Sequence, residues 1–210
     1  MGEAMIGTDR SNLATCAGLG MLSGGVAWVL TMLLGEDSSA GILRGTPFEV
    51  SALTVVPGLT FGLVIGLLWR RRGMASKLGV LGYTVAAGVA YFISFHIAVN
   101  VFDRLSGLPG EDVALVVSGI IAGLIGCCVL GMVTAYLLRV PYQSALGLPV
   151  LVGGAAGAFL PLINLPGDWG FLAFLVLWQG AYATGLVRLL RPAPVALTRA
   201  ASMGVGKSRA

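Results

Sequence analysis

Charge is what this chain has least of. Thirteen Lys/Arg and nine Asp/Glu in 210 residues make 10%, against about 25% in an ordinary soluble domain. That is too little to solvate a globular protein of this size. It excludes most soluble enzymes and any nucleic-acid binder that needs a broad basic face. Histidine occurs once and cysteine three times, so a metal centre built from several His, Cys or carboxylate ligands is not expected. A cleavable signal peptide is not expected either. Met1-Gly2-Glu3 is acidic, and the first apolar run is long and has no clear cleavage site. That run reads as an uncleaved signal anchor. Myristoylation is disfavoured, because Ile6 stands where Ser or Thr is wanted. In place of charge there are 57% apolar residues and 32 glycines. The composition is that of an all-α integral membrane protein without a soluble domain.

About 20 apolar residues at roughly 1.5 Å per residue cross the hydrocarbon core. Six such runs are predicted: Leu13–Leu34, Val50–Trp69, Leu78–Phe102, Val113–Leu138, Ala145–Asn164 and Trp169–Leu190. They leave a segment 1–12, a six-helix membrane domain 13–190, and a basic tail 191–210. Basic residues are retained on the cytoplasmic side. With the N-terminus inside, Arg10, Arg70, Arg71, Arg72, Lys77, Arg139, Arg188, Arg191, Arg199, Lys207 and Arg209 are all internal, and only Arg44 and Arg104 are external. An odd number of spans would strand a basic cluster outside. Six spans with both termini cytoplasmic, in the inner (plasma) membrane of a bacterium, is the topology expected. The net charge of +4 suits flanks that meet anionic lipid and requires no nucleic acid.

The glycines recur at helical spacing. Gly58, Gly62 and Gly66 form two consecutive G-x-x-x-G steps, and Gly20/Gly24, Gly119/Gly123 and Gly153/Gly157 repeat the device. In lipid, such faces let helix backbones approach closely. A compact Gly-rich bundle is the expectation, with these faces turned mainly inward rather than to an oligomer or a partner. A weak echo links 62–70, 131–139 and 185–191. A small packing residue and a basic stop at each helix end explain it without a duplication.

Chemistry is sparse. His96, Asn100 and Arg104 share one stripe of the third helix, with His96 about 9 Å below the outer end. A histidine at that depth is expected to face protein or a cavity, as an interhelical hydrogen-bonding group or as a ligand to a pigment or cofactor. A single histidine excludes a bis-His haem within the chain. The His-x-x-x-Asn element and six spans resemble a rhomboid protease layout, with Ser118 as the imagined nucleophile. The last helix, however, has no histidine and G-x-S-G is absent, so the required base is missing. The tail match Gly206-Lys207-Ser208 to a phosphate loop lacks both strand and following helix. Cys16, Cys127 and Cys128 read as small packing residues, and Trp69 and Trp169 as interfacial belt residues.

Gln179 is the one mid-membrane amide, beside Trp178. An interhelical bond or a ligand contact would each occupy it. Pro57, Ser51, Thr54, Ser118, Pro161 and Asn164 add polarity and irregularity to the outer half, where an outward pocket is expected. No Asp, Glu, Lys or Arg falls inside a predicted span away from its ends, which disfavours proton-coupled pumps, retinal proteins and voltage sensors. The function expected is that of a non-catalytic membrane subunit, packed with other subunits or with its own copies and supporting a larger assembly. The cofactor, if the assembly holds one, is unknown. The alternative is a binding or transport component for a neutral or apolar solute, such as the membrane-embedded subunit of an ATP-driven importer. In that reading the first outer loop acts as a lid and His96, Asn100, Asn164, Trp178 and Gln179 supply contacts.

Overall fold

Hydrocarbon offers the backbone no hydrogen-bond partner, so a spanning chain must satisfy its own amides. The computed structural model describes residues 2–34, 50–107 and 110–190, and these are helical without a strand. The order is α1 (Gly2–Leu34), α2 (Ala52–Arg71), α3 (Lys77–Leu105), α4 (Glu111–Leu138), α5 (Tyr142–Leu146), α6 (Leu148–Ala156), a 3-10 helix (Gly157–Asn164), α7 (Trp169–Gly185) and a second 3-10 helix (Leu186–Leu190). Five stretches among the described residues are long and apolar enough to cross a membrane: Ser11–Leu34, Ala52–Arg71, Lys77–Leu105, Glu111–Leu138 and Tyr142–Asn164. The loop 35–49, with the proposed lid, and the tail 191–210, with the phosphate-loop match, lie outside the described residues.

The elements close into a ring. Neighbours α1–α2, α2–α3, α3–α4, α4–α6 and α6–α7 pack in turn, and α7 returns to α1. The ends are fixed by local chemistry. Ser76 Oγ accepts the Gly79 N–H at 3.0 Å to start α3, as an N-cap serine should. Gly73 turns the chain between α2 and α3 with φ of +70°, a conformation glycine adopts without steric cost. The Arg72 guanidinium donates to Asn12 Oδ1 at 2.8 Å, so the start of the α1 span and the end of α2 sit together.

Two stretches differ from the sequence expectation. The run 145–164 is not one α-helix. It begins at Tyr142, breaks at Gly147 and tightens into a 3-10 helix from Gly157 onward. Pro149 has no N–H to give the Ala145 carbonyl, so the helix cannot run through this point, and Pro161 sits within the 3-10 segment. The run 169–190 is α-helical only to Gly185. There α7 crosses α6 so closely that a Cβ on Gly185 would lie 2.6 Å from Pro149 Cα.

Trp69 corrects a third expectation. It is no belt residue: it is 1% exposed, and its ring packs 4.5 Å from that of Tyr83. Flanking arginines mark the end of the helix but not its rotation, and the rotation turns this indole inward. Trp169 is 68% exposed and stacks on Trp28 at 6.1 Å.

Candidate functional site

Most of these glycines meet the backbone of a neighbouring helix. A Cβ on Gly119 would fall 2.0 Å from the Gly157 carbonyl oxygen, and one on Gly157 would lie 2.0 Å from that of Gly119. Gly123 opposes the Gly153 carbonyl and Gly154, while Gly153 itself faces Cys127 and Tyr182. On α2, Gly58 and Gly62 lie against Ala87 and Thr84 of α3, and Gly66 against Val80. On α1, Gly20 abuts the Gln179 carbonyl and Gly24 that of Leu175. All nine therefore sit at crossings within this chain.

Such crossings bring polar groups together. Gln179 is fully buried on α7. Its Nε2 donates to the Pro57 carbonyl at 3.0 Å, and its Oε1 accepts the Ser23 hydroxyl. Thr60 Oγ1 also donates to the Pro57 carbonyl at 3.0 Å. One amide thus ties α7 to α1 and α2. The Ser23 hydroxyl also lies 2.8 Å from Gly20 O, so it is the Gln179 amide itself that would otherwise be a polar group in an apolar interior, a costly placement.

Beside this node, Trp178 stacks on Phe174 at 6.4 Å and meets Tyr91 at 5.8 Å. These three rings, with Phe95, Leu160 and the Gly119–Gly157 crossing, line a cavity of about 50 Å³. Ser94 contributes to the wall, but its hydroxyl donates to its own helix at Ala90 O, 2.8 Å away. The cavity is an apolar, aromatic space at the broken helix, roughly 12–18 Å along α4 from Glu111 at about 1.5 Å per residue.

The histidine stripe is divided. His96 is buried, with its ring 4.4 Å from Phe92 and 5.8 Å from Phe95. Asn100 and Arg104 are exposed, and Asn100 Nδ2 donates to the His96 carbonyl of the same helix at 2.7 Å. Asn164 is exposed at the end of the 3-10 helix. His96, Asn100 and Asn164 are not among the residues lining the cavity, nor is Gln179. Ser118 is buried and its hydroxyl donates to Ala114 O of its own helix at 2.6 Å. Cys16, Cys127 and Cys128 are free thiols. Among the described residues no three His, Cys, Asp or Glu side chains group together.

Sequence reasoning placed Tyr182 beside Trp178 and Gln179 near the middle of the last helix but missed Tyr83, Tyr91 and Thr134, which are also buried in the interior. A signal was present. Tyr83, Ala87, Ala90, Tyr91 and Ser94 are all buried, and their spacing is one helical face. The two tyrosines on that face mark it as the inner one. Comparison with protein families, with curated proteins and with solved structures finds no match to this chain.

Proposed function

We propose that this chain is a non-catalytic, multi-pass subunit that packs against other membrane proteins, or against copies of itself, in a larger assembly of the inner membrane. Six spans with both termini cytoplasmic are part of this reading. The seventeen residues of α7 reach about 25 Å, and the five of the following 3-10 helix add about 10 Å. Together they exceed the roughly 30 Å of a hydrocarbon core. The positions of the basic residues supply the orientation.

The observation that carries the reading is the outer face of α1. Gly18 and Gly25 are the glycines there that meet nothing: a Cβ on either finds no atom within 4 Å. An apolar groove of about 450 Å³ passes over Gly25 between Leu22, Val26, Val29 and Leu172. Small residues seven apart on a lipid-side face give a second helix the close approach that membrane association depends on. The test is purification of Gly18→Leu/Gly25→Leu in mild detergent. The variant should fold with unchanged thermal stability and lose its co-purifying partner or its oligomeric mass. An unchanged particle size would sink the proposal.

The cavity beside Trp178 favours a second reading, a binding component for a small apolar solute, as in an ATP-driven importer. A colourless small molecule retained through purification, and lost in Gly123→Leu, would favour that reading over the first.

A further inference from the structure

The cavity beside Trp178 has a floor and a rim, and three elements place them alike. On α3, Tyr91 and Ser94 are buried, whereas Phe95 and Ala98, one turn nearer the Asp103 end, are half-buried. On α7, Trp178 is buried and Phe174, one turn nearer Asp168, is half-buried. On the 3-10 helix, Gly157 is buried and Leu160, nearer Asn164, is half-buried. The lining loses its cover toward the end of the ring that carries Asp103, Glu111 and Asp168. The cavity is a slot closed by Trp178 and Tyr91 and open at that end.

Its walls are apolar and fixed. Trp178 is stacked on Phe174, and Gly119 and Gly157 already touch across the α4 crossing, so the slot cannot close further. Ser94 Oγ donates to Ala90 O and occupies the place where a Cβ on Gly126 would stand. The surface turned to the cavity is almost wholly apolar, and a buried water needs two to four polar partners. Volume decides what fits instead. An apolar cavity of about 150 Å³ stays dry and takes the six carbons of benzene, so one of about 50 Å³ has room for about two carbons. A free two-carbon molecule would bind more weakly than millimolar, even at the highest affinity per atom that small ligands reach. A ligand held here must therefore extend out through the rim.

We propose that the slot binds the end of an unbranched alkyl chain, its last carbons against Trp178 and Tyr91 and the rest leaving past Ala98 and Leu160. The inference rests on the second reading above, a binding component for an apolar solute, and names the part of the solute that is recognised. An unbranched end fills the slot and gains dispersion contact with the rings, whereas a branched or aromatic end is too wide for it. The floor lies about 14 Å along α7 from Trp169 at roughly 1.5 Å per residue, so a long chain reaches it with its polar head at the interface. A bilayer lipid and a free single-chain amphiphile both present such an end.

Tryptophan fluorescence of the full chain in lipid nanodiscs tests this. Trp28→Phe/Trp169→Phe leaves Trp178 at the floor of the slot and Trp69 buried at the opposite end of the ring. Bromine is close to a methyl group in size and quenches an indole that it touches. Dodecanoate brominated at its last carbon should quench the Trp178 emission saturably, and Trp178→Phe should abolish the effect. Plain dodecanoate should reverse the quenching at about tenfold lower concentration than the same chain ending in phenyl. Leu160→Ala widens the rim and should remove that difference. If it does not fold, Ala98→Leu narrows the rim instead and should weaken quenching several-fold; unchanged quenching overturns the proposal. Quenching that survives Trp178→Phe, or that is as strong with bromine beside the carboxylate, also overturns it. A phenyl-ended chain that competes equally in the parent protein overturns the unbranched-chain inference and leaves the solute reading standing, while no quenching at all removes both. The same bromine on a phosphatidylcholine tail separates the sources. Quenching by it assigns the site to a bilayer lipid, and quenching by the free acid alone to a diffusible amphiphile; either upholds the alkyl site.

Discussion

An amide in hydrocarbon has two kinds of group to satisfy, and water supplies neither. Gln179 meets both needs across helices, giving its N–H to Pro57 and taking the hydroxyl of Ser23. Removing it should therefore cost more than the average interhelical bond in a membrane, about 0.6 kcal/mol. Gln179→Leu is expected to lower the unfolding free energy by about 1–2 kcal/mol, because the Ser23 hydroxyl and the Pro57 carbonyl both lose this partner. Asn100→Ala should change stability by less than about 0.5 kcal/mol, since Asn100 is exposed and, among the described residues, its side chain bonds its own helix. Unfolding in a mixed-micelle titration compares the two. Equal losses would show that the buried amide is not a tie between helices. Gln179 as a mid-membrane polar group was legible in the sequence. Its partners were not, because Ser23 lies 156 residues away and Pro57 122, and no local pattern encodes such distances.

At the scale of elements, the crossings set the geometry. Where α4 meets the 3-10 segment, Gly119 and Gly157 each stand where the other's carbonyl excludes a Cβ, at 2.0 Å. Even a methyl group must part these backbones. Gly157→Ala is expected to cost about 1–3 kcal/mol through overpacking and to cut the folded yield. Gly82→Ala, with open space around it on α3, should lower neither yield nor Tm. Thermal unfolding of the purified variants checks both, and a neutral Gly157→Ala would mean that the crossing is looser than its geometry. The G-x-x-x-G spacing was readable because a period of four residues is a property of one helix. Which glycines stay open was not readable: Gly18 and Gly20 are two residues apart, yet only Gly20 meets α7. The broken 142–164 stretch was likewise half visible. Pro149 and Pro161 stood in the sequence, but hydropathy averages over a window and does not register where the backbone bends.

For the molecule as a whole, topology is the quantity on which the functional reading rests. With Cys16, Cys127 and Cys128 replaced by alanine, Ser76→Cys and Ser106→Cys present single thiols at exposed positions on opposite ends of α3. An impermeant maleimide applied to intact cells should label Ser106→Cys and leave Ser76→Cys unmodified until the cells are opened. The reverse pattern would invert the orientation and place the arginine-rich 70–77 loop outside.

The sequence by itself determined that the chain is helical and built of membrane-length apolar runs, and where most of those runs begin and end. The reason is that solvation by hydrocarbon depends on composition and length, which are additive along the chain. Only the tertiary structure decided the ring order, the burial of Trp69, the splitting of the His96 stripe, and the complete burial of Tyr83, Thr134 and Tyr182. Each of these depends on how a helix is rotated about its own axis. Low charge and apolar residues on most sides leave that rotation with little local signal beyond such cues as the tyrosines of α3, so it is fixed mainly by which small residues allow two particular backbones to touch.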